Sequence, residues 1–554
     1  MDEFNEKSKL FQDWLIKNNV EISPKIAIHD YCDTKQGRGI IALEDINPDE
    51  MIFKLPRSIV LNIDNNSLIK LYPLVLKKLR VLDQWIGLII VLGFEIKFKF
   101  NPSDNNDNHN RSFWYEYLNI LPDQFNQLIY WNDEELNHLQ PSCILDRIGK
   151  ENNLNMYNQI ISIINQDLSG VEEFKSSPLT FEEYNKVATI IMSYSFDVEV
   201  PKSKKVTENG TNEKGNDEED EEEDEDKEDD DDDEEEDNEY YKSMVPFADT
   251  LNADTHLNNA ILIYSTDQLI MTCIKPIAKG EQVYNTYSDH PNLELLRRYG
   301  YVELNGSKYD FGEIPLSTIK SVFIDQFNKL STNKNKSNGD TFMTKQKFDE
   351  LLQLINQLQI KKSIEQDGLE EDEAEELILD SYDCFNSGDV IIELVFLIQV
   401  LSTILVVYQY EQQQQQQQEK DTDKKKEFEI DQNLINRIFN KIYQLIELKK
   451  ITSKCFEIYQ SIINARMSQY PDIAKQPFNG NVAAANSEDE TINSIRIYMA
   501  EVVLKSEYQS LEKCSSTIKD FKIINDSKLN KNILKKRNND TNGVSETNNK
   551  KSKN

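Results

Sequence analysis

The chain has 554 residues, with 62 Lys and Arg against 98 Asp and Glu, and a formal net charge of −36. At about 100–200 residues per domain, this length predicts several domains and room for a sizeable core. The charge argues against a general nucleic-acid footprint, and a hydrophobic share of 38% predicts folded segments that alternate with disordered ones.

The first elements are a helix and a set of short strands. Apolar residues at near-helical spacing predict an amphipathic helix over residues 4–18, within an N-terminal segment of residues 1–24. From Lys25 onward, short apolar runs alternate with turn residues, which indicates strands. Gly37-Arg38-Gly39 lies between two of these runs and is predicted to be a turn. The first ten residues are charged where a secretory signal needs an apolar core, so we expect an intracellular chain.

Residues 64–200 have the pattern of a helical insert, and an acidic run follows it. Asp217–Asp237 contains 20 acidic residues and one lysine, so it supplies −19 of the net charge. Like charges at this density do not pack, and we predict a disordered loop over about 202–240. One interpretation is an expanded loop at a tolerant site, which we favour, and the other is an element that steers basic partners.

Strand texture returns at residues 260–264, 269–274 and 282–284, and completes a domain predicted to span residues 25–303. Residues 310–525 are predicted to form a helical domain interrupted by Ser331–Gly339 and by a polyglutamine insertion at 412–418. Residues 526–554 form a basic disordered tail, in which Lys535-Lys536-Arg537 is a candidate nuclear signal. The apolar run Leu394–Tyr408 is about 15 residues long and contains Gln399, so it is predicted to be a buried helix.

Two kinds of site are excluded by the sequence. Gly37-x-Gly39-x-x-Ala42 superficially fits a dinucleotide fingerprint, but no helix begins after it and Arg57 lies near the position of the required acid. The six cysteines and five histidines are far apart and form no metal-ligand spacing. We therefore expect neither a dinucleotide nor a metal, and we expect the thiols to be reduced.

Four sequence motifs, in a fixed order along the chain, resemble those of a known protein family. They are the Gly37-Arg38-Gly39 segment, MVPFADTLNA at 244–253, GEQVYNTY at 280–287 and NLELLRRYGYVE at 292–303. Together they resemble a SET-domain protein-lysine methyltransferase of the Rubisco large-subunit methyltransferase type, closest to the ribosomal lysine N-methyltransferase 4 and SET domain-containing protein 6 branch. The resemblance implies an α+β fold, in which a split SET domain of short β-sheets with a helical insert precedes an all-α C-terminal substrate-binding domain.

The resemblance also implies a binding site for S-adenosyl-L-methionine. The backbone of the glycine segment approaches the cofactor, and Asn252 holds the amino-acid end of the cofactor. The family usually has His after this asparagine, whereas this chain has Ala253. The cofactor-binding positions implied by the family are Gly37, Arg38, Gly39, Tyr194, Asn252, Ala253 and Tyr299.

Tyr287 matches the active-site tyrosine of the family and is the predicted catalytic residue. Methyl transfer from a sulfonium is an in-line displacement, which needs a neutral amine, close alignment and exclusion of water. Burial beside a cationic sulfonium lowers the pKa of a lysine amine, so no strong base and no metal are needed. A tyrosine hydroxyl and backbone carbonyls are sufficient to orient the amine.

Three positions are predicted to contact the protein substrate. Trp114 falls where the insert of the family lines the substrate cleft. Phe196 forms an aromatic wall that suits the methylenes of a lysine, whereas related histidine methyltransferases have a polar residue there. Asp197 favours a basic flank in the substrate, although an exposed acid with no such role is equally consistent with the sequence.

The sequence therefore predicts a methyltransferase that acts on a lysine of a ribosomal protein of the large subunit, in the nucleus and/or the cytoplasm. We expect a monomer that binds a basic protein substrate and has no direct contact with nucleic acid or membrane. One alternative is a catalytically silent SET scaffold that binds basic proteins, which Ala253 favours. Another is a methyltransferase for a non-ribosomal nuclear protein or for a histidine acceptor.

Overall fold

The computed structural model describes residues 3–31, 36–100, 111–200, 240–330, 343–367, 374–418, 431–478 and 492–526. The acidic run, the interruption at 331–339 and the candidate nuclear signal lie outside these residues. The chain forms two compact units. The first unit comprises Met1–Phe125 and Gly149–Ser288, and the second unit comprises Asn126–Ile148 and Asp289–Asn554.

The helices and strands of the described residues have the following bounds. The α-helices are α1 Glu3–Lys17, α2 Ser67–Leu71, α3 Leu76–Leu79, α4 Gln84–Phe94, α5 Tyr115–Leu118, α6 Asp133–Asn137, α7 Lys150–Gln166, α8 Glu172–Ser176, α9 Phe181–Tyr194, α10 Asn292–Tyr299, α11 Leu316–Leu330, α12 Lys345–Asp367, α13 Ile392–Gln418, α14 Gln432–Glu447, α15 Ser453–Met467 and α16 Ile492–Cys514. The β-strands are β1 Glu21–Ile22, β2 Ile26–Tyr31, β3 Gly37–Ala42, β4 Met51–Pro56, β5 Ser195–Glu199, β6 Tyr240–Met244, β7 Asn252–Ala253, β8 Ala260–Tyr264, β9 Gln268–Cys273, β10 Gln282–Asn285, β11 Phe311–Pro315, β12 Ser381–Phe385, β13 Lys450–Thr452 and β14 Lys522–Ile524.

Two four-stranded sheets form the β part of the first unit, with orders β1-β4-β9-β8 and β2-β3-β10-β7. The Gly37-Arg38-Gly39 segment was predicted to be a turn, which is wrong, because these residues open β3 and pair with β2 along the register Tyr31↔Gly37 to His29↔Gly39. Gly37 has a φ of 67°, in the left-handed region that glycine adopts without strain. Gly37 therefore serves the backbone conformation at the start of the strand, whereas Gly39 has close neighbours.

The helical insert packs on the same core, and its last helix leads directly into the site. Thr180 and Glu183 form a reciprocal capping box at the start of α9. The buried face of this helix includes Val187, Ile190 and Ile191. Helix α9 ends at Tyr194, and β5 begins at the next residue. A single well-capped helix therefore determines where Tyr194 and Phe196 lie.

The second unit is mainly helical, and its core includes the buried faces of α11 to α15. Helix α13 includes a 19-residue stretch, Ile392–Tyr410, that is long and apolar enough to span a membrane, but 72% of the tested window is buried in the structure. This burial is what a core helix shows, as predicted. The polyglutamine run was predicted to interrupt the helical domain, whereas the backbone of α13 continues helical through Gln418, because glutamine is a good helix former.

The segment Asn126–Ile148 belongs to the second unit although the sequence places it within the SET-domain bounds of 25–303. Its buried side chains Leu128 and Trp131 share a hydrophobic cluster with Leu293 and Val503. The boundary between the compact units falls after Ser288. The predicted domain bounds follow motif positions, whereas the compact units follow this packing.

Candidate active site

The sheet β2-β3-β10-β7 brings five of the predicted cofactor positions together, with Gly37, Arg38 and Gly39 on β3 and Asn252 and Ala253 on β7. Strand β10 pairs antiparallel with β3, through Gln282↔Ile41 and Val283↔Ile40. On its other side, β10 pairs parallel with β7, through Tyr284↔Asn252 and Asn285↔Ala253. Strand β10 therefore holds the asparagine motif one strand away from the glycine segment of β3.

Gly39 lies against the side chain of Asn252. A Cβ added to Gly39 would lie 2.8 Å from Nδ2 of Asn252 and 2.9 Å from Oε1 of Gln282. Side chains do not tolerate such distances, so this position must remain glycine for Asn252 to keep its place. Ala253 is buried and contributes its backbone to the pairing with Asn285, and its methyl group does not supply the polar atom of the histidine usual in the family.

The hydroxyl group of Tyr287 donates a hydrogen bond of 2.6 Å to the backbone carbonyl of Leu251. Leu251 follows the 3-10 turn Ala248–Thr250 and immediately precedes Asn252. The predicted catalytic residue therefore binds the residue directly before the predicted cofactor asparagine.

Asp249, in the middle of the same turn, forms a buried hydrogen-bonded pair with Tyr117. Oδ2 of Asp249 accepts a hydrogen bond of 2.5 Å from the hydroxyl group of Tyr117. Burial raises the pKa of the Asp249 carboxyl to about 7, although the hydrogen bond from Tyr117 opposes this rise. Burial, and then the nearby Asp249, raise the pKa of Tyr194 to about 12, so Tyr194 stays neutral at physiological pH. Burial raises the pKa of Tyr117 well above its ordinary value.

Arg38 has structural contacts through its side chain. Its guanidinium donates to Oγ of Ser8 at 3.2 Å and to the carbonyl of Ile120 at 3.0 Å, and lies 4.5 Å from the ring centre of Phe4. It therefore ties β3 to helix α1 and to the segment after α5. A cavity of about 560 Å³ adjoins this contact, with Phe4, Lys7, Arg38, Leu121, Pro122 and Lys186 in its lining. Neither Asn252 nor Tyr194 is among the residues that line it.

The three predicted substrate residues have different surroundings. Trp114 was predicted to line the substrate cleft, whereas the structure buries it completely, with Nε1 donating to the carbonyl of Ile59 at 2.7 Å. Its large apolar ring fills the core of the first unit, and this burial leaves no surface for a substrate. Phe196 packs partly buried against the same core. Asp197 is exposed and forms a 2.6 Å ion pair with Lys242 across the β5–β6 ladder.

Tyr299, the remaining predicted cofactor residue, belongs to the second unit and is the last residue of α10. Its ring centre lies 6.1 Å from that of His290 and 6.3 Å from that of Tyr301. Gly300 ends the helix with a φ of 74°, a conformation typical of a C-terminal glycine cap. The cofactor role of Tyr299 stays a prediction.

Four residues near the site were missed as functional candidates: Gln36, Tyr117, Asp249 and Gln282. Gln282 is a buried polar residue beside the buried Val283, and Asp249 is an acid within a largely apolar motif. Buried polar side chains need partners, so polar residues next to buried apolar ones are the signal that points to them. Across the described residues, no group of three or more His, Cys, Asp and Glu side chains is arranged to hold a metal ion.

The fold and the ordered motifs define a class of protein, the SET-domain proteins. The SET domain family matches residues 37–288. Ribosomal lysine N-methyltransferase 4 of Saccharomyces cerevisiae is 36% identical over 549 residues, which cover 97% of each chain. N-lysine methyltransferase SETD6 of Rattus norvegicus is 26% identical over 53% of each chain. The chain therefore belongs to the SET-domain family of protein-lysine N-methyltransferases.

Solved structures support the same fold. Rubisco LSMT bound to AdoMet is similar to this chain with a TM-score of 0.52 and 17% identity, over 92% of this chain and 90% of that one. Rubisco LSMT bound to sinefungin and monomethyllysine has a TM-score of 0.53 at 17% identity, over 96% and 99% of the two chains. The predicted split SET fold followed by a helical region is confirmed.

Proposed function

We propose that this enzyme transfers a methyl group from S-adenosylmethionine to a lysine side chain of a ribosomal protein of the large subunit. The observation that carries the proposal is the 2.6 Å hydrogen bond from Tyr287 to the carbonyl of Leu251, next to Asn252. This contact binds the reaction-orienting hydroxyl to the residue directly before the proposed cofactor-holding Asn252.

The residues present fit S-adenosylmethionine. The absent side chain of Gly39 leaves room for the amide of Asn252, which would hold the amino-acid end of the cofactor. The buried hydroxyl of Thr250 has no hydrogen-bond partner within the described residues, which leaves it able to bond to a polar group of a ligand. When bound, the cofactor supplies an electrophilic methyl group on a cationic sulfonium.

The protein supplies the orientation of the reacting groups. With its hydroxyl hydrogen given to Leu251, the oxygen of Tyr287 would act as an acceptor toward the lysine amine or the hydrogens of the methyl group. The buried turn at Ala248–Thr250 directly precedes Leu251 and so fixes the carbonyl group that this hydroxyl binds. Alignment of amine and methyl within about 3 Å accounts for several powers of ten in rate without a general base.

The ribosomal substrate class rests on the relative from Saccharomyces cerevisiae, whose similarity extends over nearly the whole chain. Lysine is favoured over histidine as the acceptor because Phe196 offers an aromatic surface to an aliphatic stem. Asp197 already has a cationic partner in Lys242, so its proposed role toward a basic substrate requires exchange of that ion pair.

The proposal is tested by calorimetry of S-adenosylmethionine binding and by transfer of a radiolabelled methyl group to isolated large-subunit ribosomal proteins. We expect the wild type to bind the cofactor and to label one protein band. Tyr287→Phe should lower the transfer rate ten- to hundredfold with little change in cofactor affinity, because only orientation of the reacting groups is lost. Asn252→Ala should weaken cofactor binding.

Tyr264→Phe is the matched control, because Tyr264 is a strand tyrosine of the first unit outside the site. It should retain wild-type transfer. Absence of cofactor binding by the wild type would contradict the enzyme function. Binding without labelling of any ribosomal protein would instead contradict the substrate class.

A further inference from the structure

A chain of side-chain hydrogen bonds crosses the sheet beside the candidate cofactor site. Nδ2 of Asn252 donates to Oε1 of Gln282 at 3.2 Å, and Nε2 of Gln282 donates to Oε1 of Gln36 at 2.9 Å. Nε2 of Gln36 then donates to the hydroxyl of Tyr284 at 3.4 Å. The strand order β3-β10-β7 produces this chain, because β10 carries Gln282 between the strand that follows Gln36 and the strand that begins at Asn252.

The direction of these bonds determines which atom Asn252 presents. Gln282 directs its amide nitrogen toward Gln36 and its amide oxygen toward Asn252. That oxygen selects the nitrogen of the Asn252 amide, and the carbonyl oxygen Oδ1 must then point elsewhere. Within the described residues, Oδ1 of Asn252 accepts no hydrogen bond. An unengaged carbonyl oxygen attracts a cationic donor, whereas an unengaged amide nitrogen repels it.

Burial makes this arrangement rigid. Gln282 is only 8% exposed, and its backbone carbonyl accepts a further hydrogen bond of 3.0 Å from Nδ2 of Asn259. Gly39 closes one side of the network, since any larger residue would contact both Asn252 and Gln282. A buried glutamine with its amide nitrogen and oxygen both engaged does not rotate freely, so it holds its neighbour in one orientation.

We propose that Gln282, oriented by Gln36, is a positioning residue that holds the Asn252 amide with its carbonyl oxygen toward the ammonium group of the cofactor. The proposal rests on the cofactor role of Asn252 proposed above. It also explains how the site works with Ala253 in place of the usual histidine, because the orientation of Asn252 is set from the neighbouring strand. Gln282 acts through Asn252 and does not need to touch the reacting atoms.

The test compares two ligands that differ at the amino-acid end. Calorimetry would measure the dissociation constants of S-adenosylmethionine and of methylthioadenosine, which has no ammonium or carboxylate group. Gln282→Leu should weaken S-adenosylmethionine binding about three- to tenfold, the equivalent of one net hydrogen bond, and leave methylthioadenosine binding unchanged. Gln268→Leu, on a strand of the other sheet, is the matched control and should change neither constant.

Two further variants keep the test decisive. Gln282→Glu keeps an acceptor oxygen for Asn252 and should retain most of the affinity for S-adenosylmethionine. If Gln282→Leu does not fold, Gln36→Ala replaces it, because the exposed Gln36 can be changed without a cavity and should give a smaller loss in the same direction. In an Asn252→Ala background, Gln282→Leu should have no additional effect.

Equal weakening of both ligands would overturn the proposal, because it would indicate general support of the strand. Unchanged affinity of Gln282→Leu for S-adenosylmethionine, with Asn252→Ala clearly weakened, would also overturn it and leave the proposed function intact. No binding of S-adenosylmethionine by the wild type would instead overturn the proposed function itself.

Discussion

Asp249 is a carboxyl group in the core of the first unit, with 7% of its surface exposed. The hydroxyl of Tyr117 donates to it, and the described residues provide no Lys or Arg as an ion-pair partner for it. Burial of a carboxylate without a cation is costly, and the pKa of about 7 expresses that cost. The position of this group, two residues before the carbonyl that binds Tyr287, indicates a role in fixing the turn.

Stability should therefore depend on pH through Asp249. Its folded-state pKa of about 7 exceeds the ordinary 3.8, so the folded state holds a proton that the unfolded state releases over this range. The free energy of unfolding must fall as pH rises from about 4 to about 7 and then level off. Asp249→Asn keeps an acceptor for Tyr117 and cannot ionise. We expect its stability relative to the wild type to increase by roughly 2–3 kcal/mol between pH 5 and pH 8.

Urea unfolding of both proteins at each pH measures this difference, in which the contributions of the other titrating groups cancel. A difference independent of pH would mean that Asp249 titrates as an ordinary exposed carboxyl.

At the scale of single elements, the side chains of neighbouring strands restrict which residues β3 can contain. Its second glycine, Gly39, is buried between β2 and β10, and faces side chains that belong to β7 and β10. The atoms nearest to an added Cβ are the ends of the flexible side chains of Asn252 and Gln282, and the side chain of Tyr31. A larger residue is therefore accommodated by displacement of the amide network, at the expense of ligand binding.

Gly39→Ala should accordingly weaken S-adenosylmethionine binding several-fold while the protein stays folded. Gly280→Ala is the matched control, because Gly280 has a φ of 89° and no atom within 4 Å of an added Cβ. It should lower the free energy of unfolding by about 1–2 kcal/mol through backbone strain and leave cofactor affinity unchanged. Calorimetry and thermal unfolding of the two variants distinguish the effects. Unaltered affinity in Gly39→Ala would show that the contact with Asn252 is not needed for binding.

At the scale of the whole molecule, the long acidic insertion enters the first unit at a hairpin. Strands β5 and β6 pair antiparallel from Ser195↔Met244 to Glu199↔Tyr240. The two ends of the insertion are therefore neighbours in one ladder, as the ends of any hairpin loop are. A connection of a few residues is sufficient to join them.

Deletion of residues 204–238 should leave the fold and the cofactor affinity intact. Shortening the connection from about 40 residues to about five removes three doublings of loop length, which stabilises the folded state by up to about 2 kcal/mol. Thermal unfolding and cofactor calorimetry of the deleted and intact chains measure both quantities. A large loss of stability would mean that the acidic segment contributes to the folded core.

The local sequence pattern was sufficient to predict most helices and strands and to find the motifs in their order. The strands Ala260–Tyr264 and Gln282–Asn285 lie where short apolar runs between turn residues predicted them, because side-chain alternation and turn chemistry are local properties. The helix at Glu3–Lys17 follows from its 3.6-residue periodicity in the same way. The ordered motifs were likewise enough to indicate the family.

What the sequence did not reveal depends on contacts between distant positions. Gln282 bonds to Gln36 across 246 residues, and Tyr117 bonds to Asp249 across 132. The burial of Trp114 depends on packing around it, not on the residues beside it in the chain. Periodicity carries no record of which strands or side chains meet, because that choice is made by burial and hydrogen-bond satisfaction over the whole unit. The sequence by itself therefore determined the elements and the family, and only the tertiary structure decided which polar side chains surround Asn252 and Tyr287.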